Sequence, residues 1–117
     1  MPFTIPDMGG VFEYLESEGV TPDRTYDICD LVGVLKEIVS TEITYPEGYT
    51  AGDIGVSRPD DSEGYRVMVR PRPDAEFWLT SKLFFPGNAN GITYADMLIE
   101  IGRVADTASW LLAQWPS

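Results

Sequence analysis

The 117-residue chain contains no histidine and a single cysteine. The first absence removes the side chain that titrates near neutral pH and is the commonest metal ligand, and with it the familiar serine and cysteine hydrolase triads. The second excludes an internal disulfide and a cysteine-based zinc site, so Cys29 is expected to serve as a small buried hydrophobe. Bases are scarce: 8 Lys and Arg face 19 Asp and Glu, for a formal net charge of −11. A field of that sign repels nucleic acid and anionic membrane, where affinity comes mostly from neutralising phosphate. Direct binding to either is therefore disfavoured, and a charged partner is expected to be basic. Long apolar runs are missing too. No stretch approaches the roughly 20 residues of a membrane helix, and the start Met-Pro-Phe-Thr-Ile-Pro lacks the basic and apolar regions of a signal peptide. These absences set the expectation of a soluble, cytoplasmic protein.

What is present suffices to fold. The composition is 44% apolar and 12% aromatic, above what disordered chains carry, and a chain of this length can bury about two thirds of its unfolded surface in one core. One domain spanning residues 1–117 is expected. The charge is uneven: residues 1–47 hold ten acids against Arg24 and Lys36, and the remaining seventy residues hold nine acids and six bases. Most of the field belongs to the first half.

Local patterning divides the chain into six elements. Asp7 can cap a short helix to about Glu18, with Met8, Val11, Phe12 and Leu15 sharing one face and Gly19 ending it. Thr21 as N-cap with Pro22 at the first helical position predicts a second helix to Ser40 or Glu42. Its stripe is Ile28, Leu31, Val32, Leu35, Ile38 and Val39. The short connection predicts an antiparallel helical hairpin. A strand follows at about Tyr49 to Arg58, and the turn chemistry of Arg58-Pro-Asp-Asp-Ser-Glu-Gly64 leads into a second, where Tyr65, Val67 and Val69 alternate with Arg66, Met68 and Arg70. Glu76 to Phe85 reads as a third strand, apolar on both faces at its ends and so expected to be central or covered. A last helix from Tyr94 to Trp115 carries the most regular stripe, including Met97, Leu98, Ile101, Val104, Ala105, Ala108 and Leu111. Consecutive strands joined by turns, with no βαβ alternation, give the fold class: α+β, with an N-terminal helical hairpin, a three-stranded antiparallel sheet and a long C-terminal helix packed on the sheet.

Candidate sites are few. The loop Pro86-Gly-Asn-Ala-Asn-Gly-Ile-Thr93 lacks Walker spacing and a lysine, and Thr93 with Asp96 has the spacing of a capping box, so it reads as a turn before a capped helix. Asp53, Asp60, Asp61 and Glu63 match no calcium loop and read as solvated turn residues. Arg66, Arg70 and Lys82 alternate among nearby acids, which favours a salt-bridged surface over a base-stacking platform. No catalytic residue, metal-ligand set or cofactor is expected. On the second helix Asp23, Asp27, Asp30 and Glu37 fall within about 80° of one another around Val34. They read either as a solvated face or as a docking face for a basic partner, which Glu13 and Glu16 could extend. On the last helix Ile99, Arg103, Asp106 and Trp110 lie away from the core stripe, and Trp and Arg dominate binding hot spots.

The functional expectation is a non-catalytic acidic protein that occupies a basic surface on a protein or nucleic-acid enzyme. Small inhibitors, immunity proteins and virus- or plasmid-encoded antagonists act this way, some by imitating nucleic-acid charge. The alternative is a structural assembly component, such as part of a phage particle, that forms a homo-oligomer through the sheet edge and the aromatic strand. A small-molecule binder or carboxylate-based enzyme comes third.

Overall fold

A computed structural model describes residues 3–87 and 91–115. The element order is α1 (Met8–Ser17), α2 (Ile28–Thr41), a 3-10 turn (Ala51–Asp53), β1 (Ile54–Ser57), β2 (Arg66–Val69), β3 (Leu79–Thr80) and α3 (Tyr94–Gln114). The strands form one antiparallel sheet in the order β1-β2-β3. Ile54 pairs with Val69 and Val56 with Val67, while Val69 pairs with Leu79. α2 packs against β1 and α3, and α3 lies over β2 and β3, so both helices share one face of the sheet. The shortest dimension, 18 Å, is that of one helical layer on one sheet.

The period-two pattern of β2 explains its place at the centre. Tyr65, Val67 and Val69 are fully buried beneath the helices, whereas Arg66, Met68 and Arg70 point to the other face. Opposite them, the whole predicted stripe of α2 is buried, together with Met97, Ile101, Val104, Ala105, Ala108 and Leu111 of α3. These residues and Phe3, Val11 and Leu15 form one hydrophobic cluster. The N-terminal segment belongs to it: Phe3 packs edge-on to Tyr45 and Tyr49, exchanges hydrogen bonds with Ser109 Oγ, and is followed by a Thr4–Thr44 bridge.

Four expectations are corrected. α2 starts at Ile28 instead of Thr21, because Asp27 and Asp30 cap each other's backbone N–H groups and residues 21–26 are committed elsewhere. Tyr26 forms a backbone bridge with Ile92, and its hydroxyl accepts from the Thr21 N–H at 2.7 Å. The hairpin nevertheless survives the longer connection, since Gly10 of α1 meets Glu42 beyond the end of α2, and Tyr14 lies beside Glu37. α1 sits at the margin, so only Val11 and Leu15 of its stripe are buried while Met8 and Phe12 stay exposed. The aromatic strand is neither central nor covered. β3 is a two-residue edge strand, continued by the Ser81 N–H to Val67 O hydrogen bond and a Tyr65–Phe84 bridge, and Phe77, Trp78 and Phe85 are exposed. Cys29 is exposed as well, at the second position of α2, where Arg58 Nη1 donates to its sulfur at 3.1 Å.

The capping box of α3 is present as expected: Thr93 Oγ1 accepts from the Asp96 N–H and Asp96 Oδ2 from the Thr93 N–H, each at 3.1 Å. Part of the preceding loop, Asn88 to Asn90, lies outside the described residues. Replacing Thr93 or Asp27 by Ala should lower unfolding free energy by about 1 kcal/mol each, additively because the caps serve different helices. Urea unfolding of the two single variants and the double variant checks this, and unchanged midpoints would contradict it.

Candidate functional site

Two surfaces stand out, and they lie on opposite sides of the fold. The first is acidic. Of the ten acids in residues 1–47, nine are exposed and Glu42 is half-buried. The ion pairs among the described residues join Arg70 to Asp53, Arg72 to Asp74 and Arg103 to Glu100, so none of the ten has a basic partner within 4.0 Å. Neither base of this region lies within 4.0 Å of an acid among the described residues, and Arg24 stacks over the Tyr26 ring at 5.3 Å. Between the end of α1 and the facing turns of α2 a polar groove of about 620 Å³ is lined by Glu18, Asp30 and Glu37 together with Arg24, Tyr14 and Tyr26. Burial and the neighbouring charges of Glu18 and Glu37 raise the Tyr14 phenol above its ordinary value.

The predicted docking face is only partly assembled there. Glu37 is exposed on α2 as expected. Asp27 and Asp30 are exposed too, but their carboxylates also cap the helix. Asp23 lies in the turn before α2, where it accepts from Thr21 Oγ1, and so shares no helical face with the others. Val34, expected at the centre of the docking face, is buried. An α2 that packs on both β1 and α3 must cover a wider arc than one stripe, and Val34 falls inside that arc.

The second surface surrounds β3 and α3. Ile99 and Trp110 are 57% and 60% exposed, so among the described residues no element buries Trp110. Arg103 turns inward instead, stacking over Phe84 at 5.1 Å and reaching Glu100 Oε1 at 3.2 Å. A groove of about 700 Å³ runs between the two elements, lined by the apolar Phe84, Trp110 and Leu111 and by the charged Lys82 and Asp106.

Glu100 is the residue that sequence reasoning missed. It is 4% exposed and accepts from the Tyr65 hydroxyl at 2.5 Å. Its position, three residues after Met97 and four before Val104, puts it inside the apolar stripe of α3, and that spacing was the available signal. Asp53 is likewise buried, held by Arg70 Nε at 3.3 Å and by the Thr50 N–H at 2.8 Å, which separates it from the turn acids Asp60, Asp61 and Glu63. Among the described residues no group of three or more Cys, Asp and Glu is arranged to hold a metal ion. No described helix is long and apolar enough to cross a membrane. The chain matches no family model, no curated protein and no solved structure.

Burial, the hydrogen bond to Glu100 and the Glu100 charge all push the Tyr65 phenol far above the ordinary tyrosine range, with Arg103 acting weakly in the opposite sense. A raised folded-state value leaves stability intact below the unfolded tyrosine value of about 10 and removes it as pH rises beyond. Tyr14, Tyr45 and Tyr49 share the direction, each through burial. Tyr65→Phe should cost roughly 1–3 kcal/mol at neutral pH, because Glu100 loses a buried donor. It should also flatten the loss of stability above pH 10. Denaturant titrations at several alkaline pH values test this, and wild-type steepness in the variant would refute it.

Proposed function

We propose that the protein acts by binding, with α1 and the exposed side of α2 presenting an acidic surface to a basic patch on a protein or nucleic-acid enzyme. In this reading it performs no chemistry of its own. It works as an inhibitor, immunity protein or antagonist by occupying a surface that a polyanion would otherwise fill. The supporting observation is that the ten acids of residues 1–47 have no basic partner within 4.0 Å among the described residues.

Like charges gathered on neighbouring helices repel, at a few tenths of a kcal/mol per close pair. Capping accounts for Asp7, Asp27 and Asp30, whose side chains accept from N-terminal backbone N–H groups. It does not account for Glu13, Glu16, Glu18 or Glu37, which are solvent-exposed and form no ion pair among the described residues. A basic partner would relieve that repulsion and be steered by the field, with a rate that falls as salt rises. The polar groove at the α1–α2 junction, which Arg24 also lines from its place over the Tyr26 ring, carries three acids, Glu18, Asp30 and Glu37, toward a lysine or arginine side chain of that partner.

The test must avoid the caps, since reversing Asp27 or Asp30 would weaken α2 and confuse binding with stability. A Glu13→Lys, Glu16→Lys, Glu37→Lys variant should remain folded and lose the partners that wild type retains from lysate at low salt. Wild type should itself release them at roughly 0.5 M salt, where exposed charge pairs are screened within a few ångströms. Equal retention of the same partner by the triple variant, or retention indifferent to salt, would defeat the reading.

A further inference from the structure

We propose that the groove beside β3 is a self-association site, where a second copy of this chain pairs its own β3 edge antiparallel to the first across a two-fold axis. β3 is hydrogen-bonded to β2 on one side and has no strand on the other among the described residues. The Ser81 N–H is directed at Val67 O, 2.9 Å away, so the alternation of an extended chain turns the Thr80 N–H to the open side. An open edge can accept a strand, but this one offers only the Thr80 N–H and C=O of a two-residue strand, so side chains must supply most of the contact.

The side chains select the occupant. A two-fold interface brings the same patch of both copies together, so it must be complementary to itself. The β3–α3 groove satisfies that condition. Its lining includes one cation and one anion, Lys82 after β3 and Asp106 on α3; Lys82 Nζ lies 5.9 Å over the Phe84 ring, and neither has an ion-pair partner within 4.0 Å among the described residues. Across the axis, Lys82 of each copy faces Asp106 of the other. Trp110 stands beside the seam with Phe84 and Leu111 behind it, so the two tryptophans close over the paired strands.

The placement of charge points the same way. α2 packs on β1, at the edge of the sheet opposite β3, and α1 lies along α2. A copy joined at β3 therefore keeps the two acidic surfaces at the far ends of a six-stranded sheet, where repulsion between them is screened. A dimer through the helical side would press those surfaces together. The β3 dimer also leaves the acidic surface free, so the inference stands independently of the function proposed above.

The experiment is sedimentation equilibrium of the full chain over micromolar concentrations, with circular dichroism confirming that each variant is folded. Wild type should approach twice the 13.0 kDa chain mass. Trp110→Asp should raise the dissociation constant roughly tenfold or more, as loss of a central aromatic anchor does. Lys82→Glu and Asp106→Lys should each weaken the dimer, and the double charge swap should restore it. A monomer at every concentration overturns the proposal and leaves the groove to a partner of different chemistry. A dimer indifferent to all of these substitutions overturns it as well, because its interface must then lie elsewhere.

Discussion

A carboxylate buried between α3 and β2 is the constraint on which the rest of the architecture turns. Glu100 sits in the middle of an apolar helix face, and an ionisable group there is tolerated only when its hydrogen-bonding capacity is met. The Tyr65 hydroxyl and the Arg103 guanidinium meet it. Tyr65 is one residue from the start of β2, so the contact fixes how far α3 slides along the sheet. Arg103 then stacks on Phe84, whose ring packs 5.8 Å from that of Tyr65 and whose backbone bridges Tyr65. One polar contact thereby positions the helix, the central strand and the segment that follows the edge strand.

The two surfaces follow from that arrangement. With Arg103 drawn inward, the outer side of α3 keeps Ile99 and Trp110 uncovered, and the space between α3 and the short β3 opens as an apolar groove. At the opposite edge of the sheet α2 is wedged between β1 and α3, which buries Val34 and leaves α1 as an outer layer with Glu13 and Glu16 exposed. Charge and aromatic surface are thus separated across the molecule. Each can meet a different neighbour without competing for the same area.

Patterns that depend on neighbouring residues were legible in the sequence. The alternation of Tyr65, Val67 and Val69 located the central strand, and the stripes of α2 and α3 located the faces that are buried. The Thr93–Asp96 spacing announced its capping box, because each cap is closed by residues three apart. The start of α2 was not legible in the same way. Thr21-Pro22 is a good local start signal, but the Tyr26 bridge to Ile92 comes from 66 residues further along the chain and withdraws the segment from the helix. The candidate acidic face was misjudged for the same reason: Asp23 left the helix, and Val34 was buried by contacts with two elements at once.

The amino-acid sequence by itself determined the α+β class, the order of elements, the acidic bias of the first 47 residues and the absence of histidine chemistry, since each depends on composition or on spacing within one element. Only the tertiary structure decided which strand would be the edge, that Trp110 would stay uncovered, that Cys29 would face Arg58 and that Glu100 would be buried against Tyr65. Those outcomes are set by how much of each element its neighbours cover, and coverage is a property of the assembled layers that no local run of residues encodes.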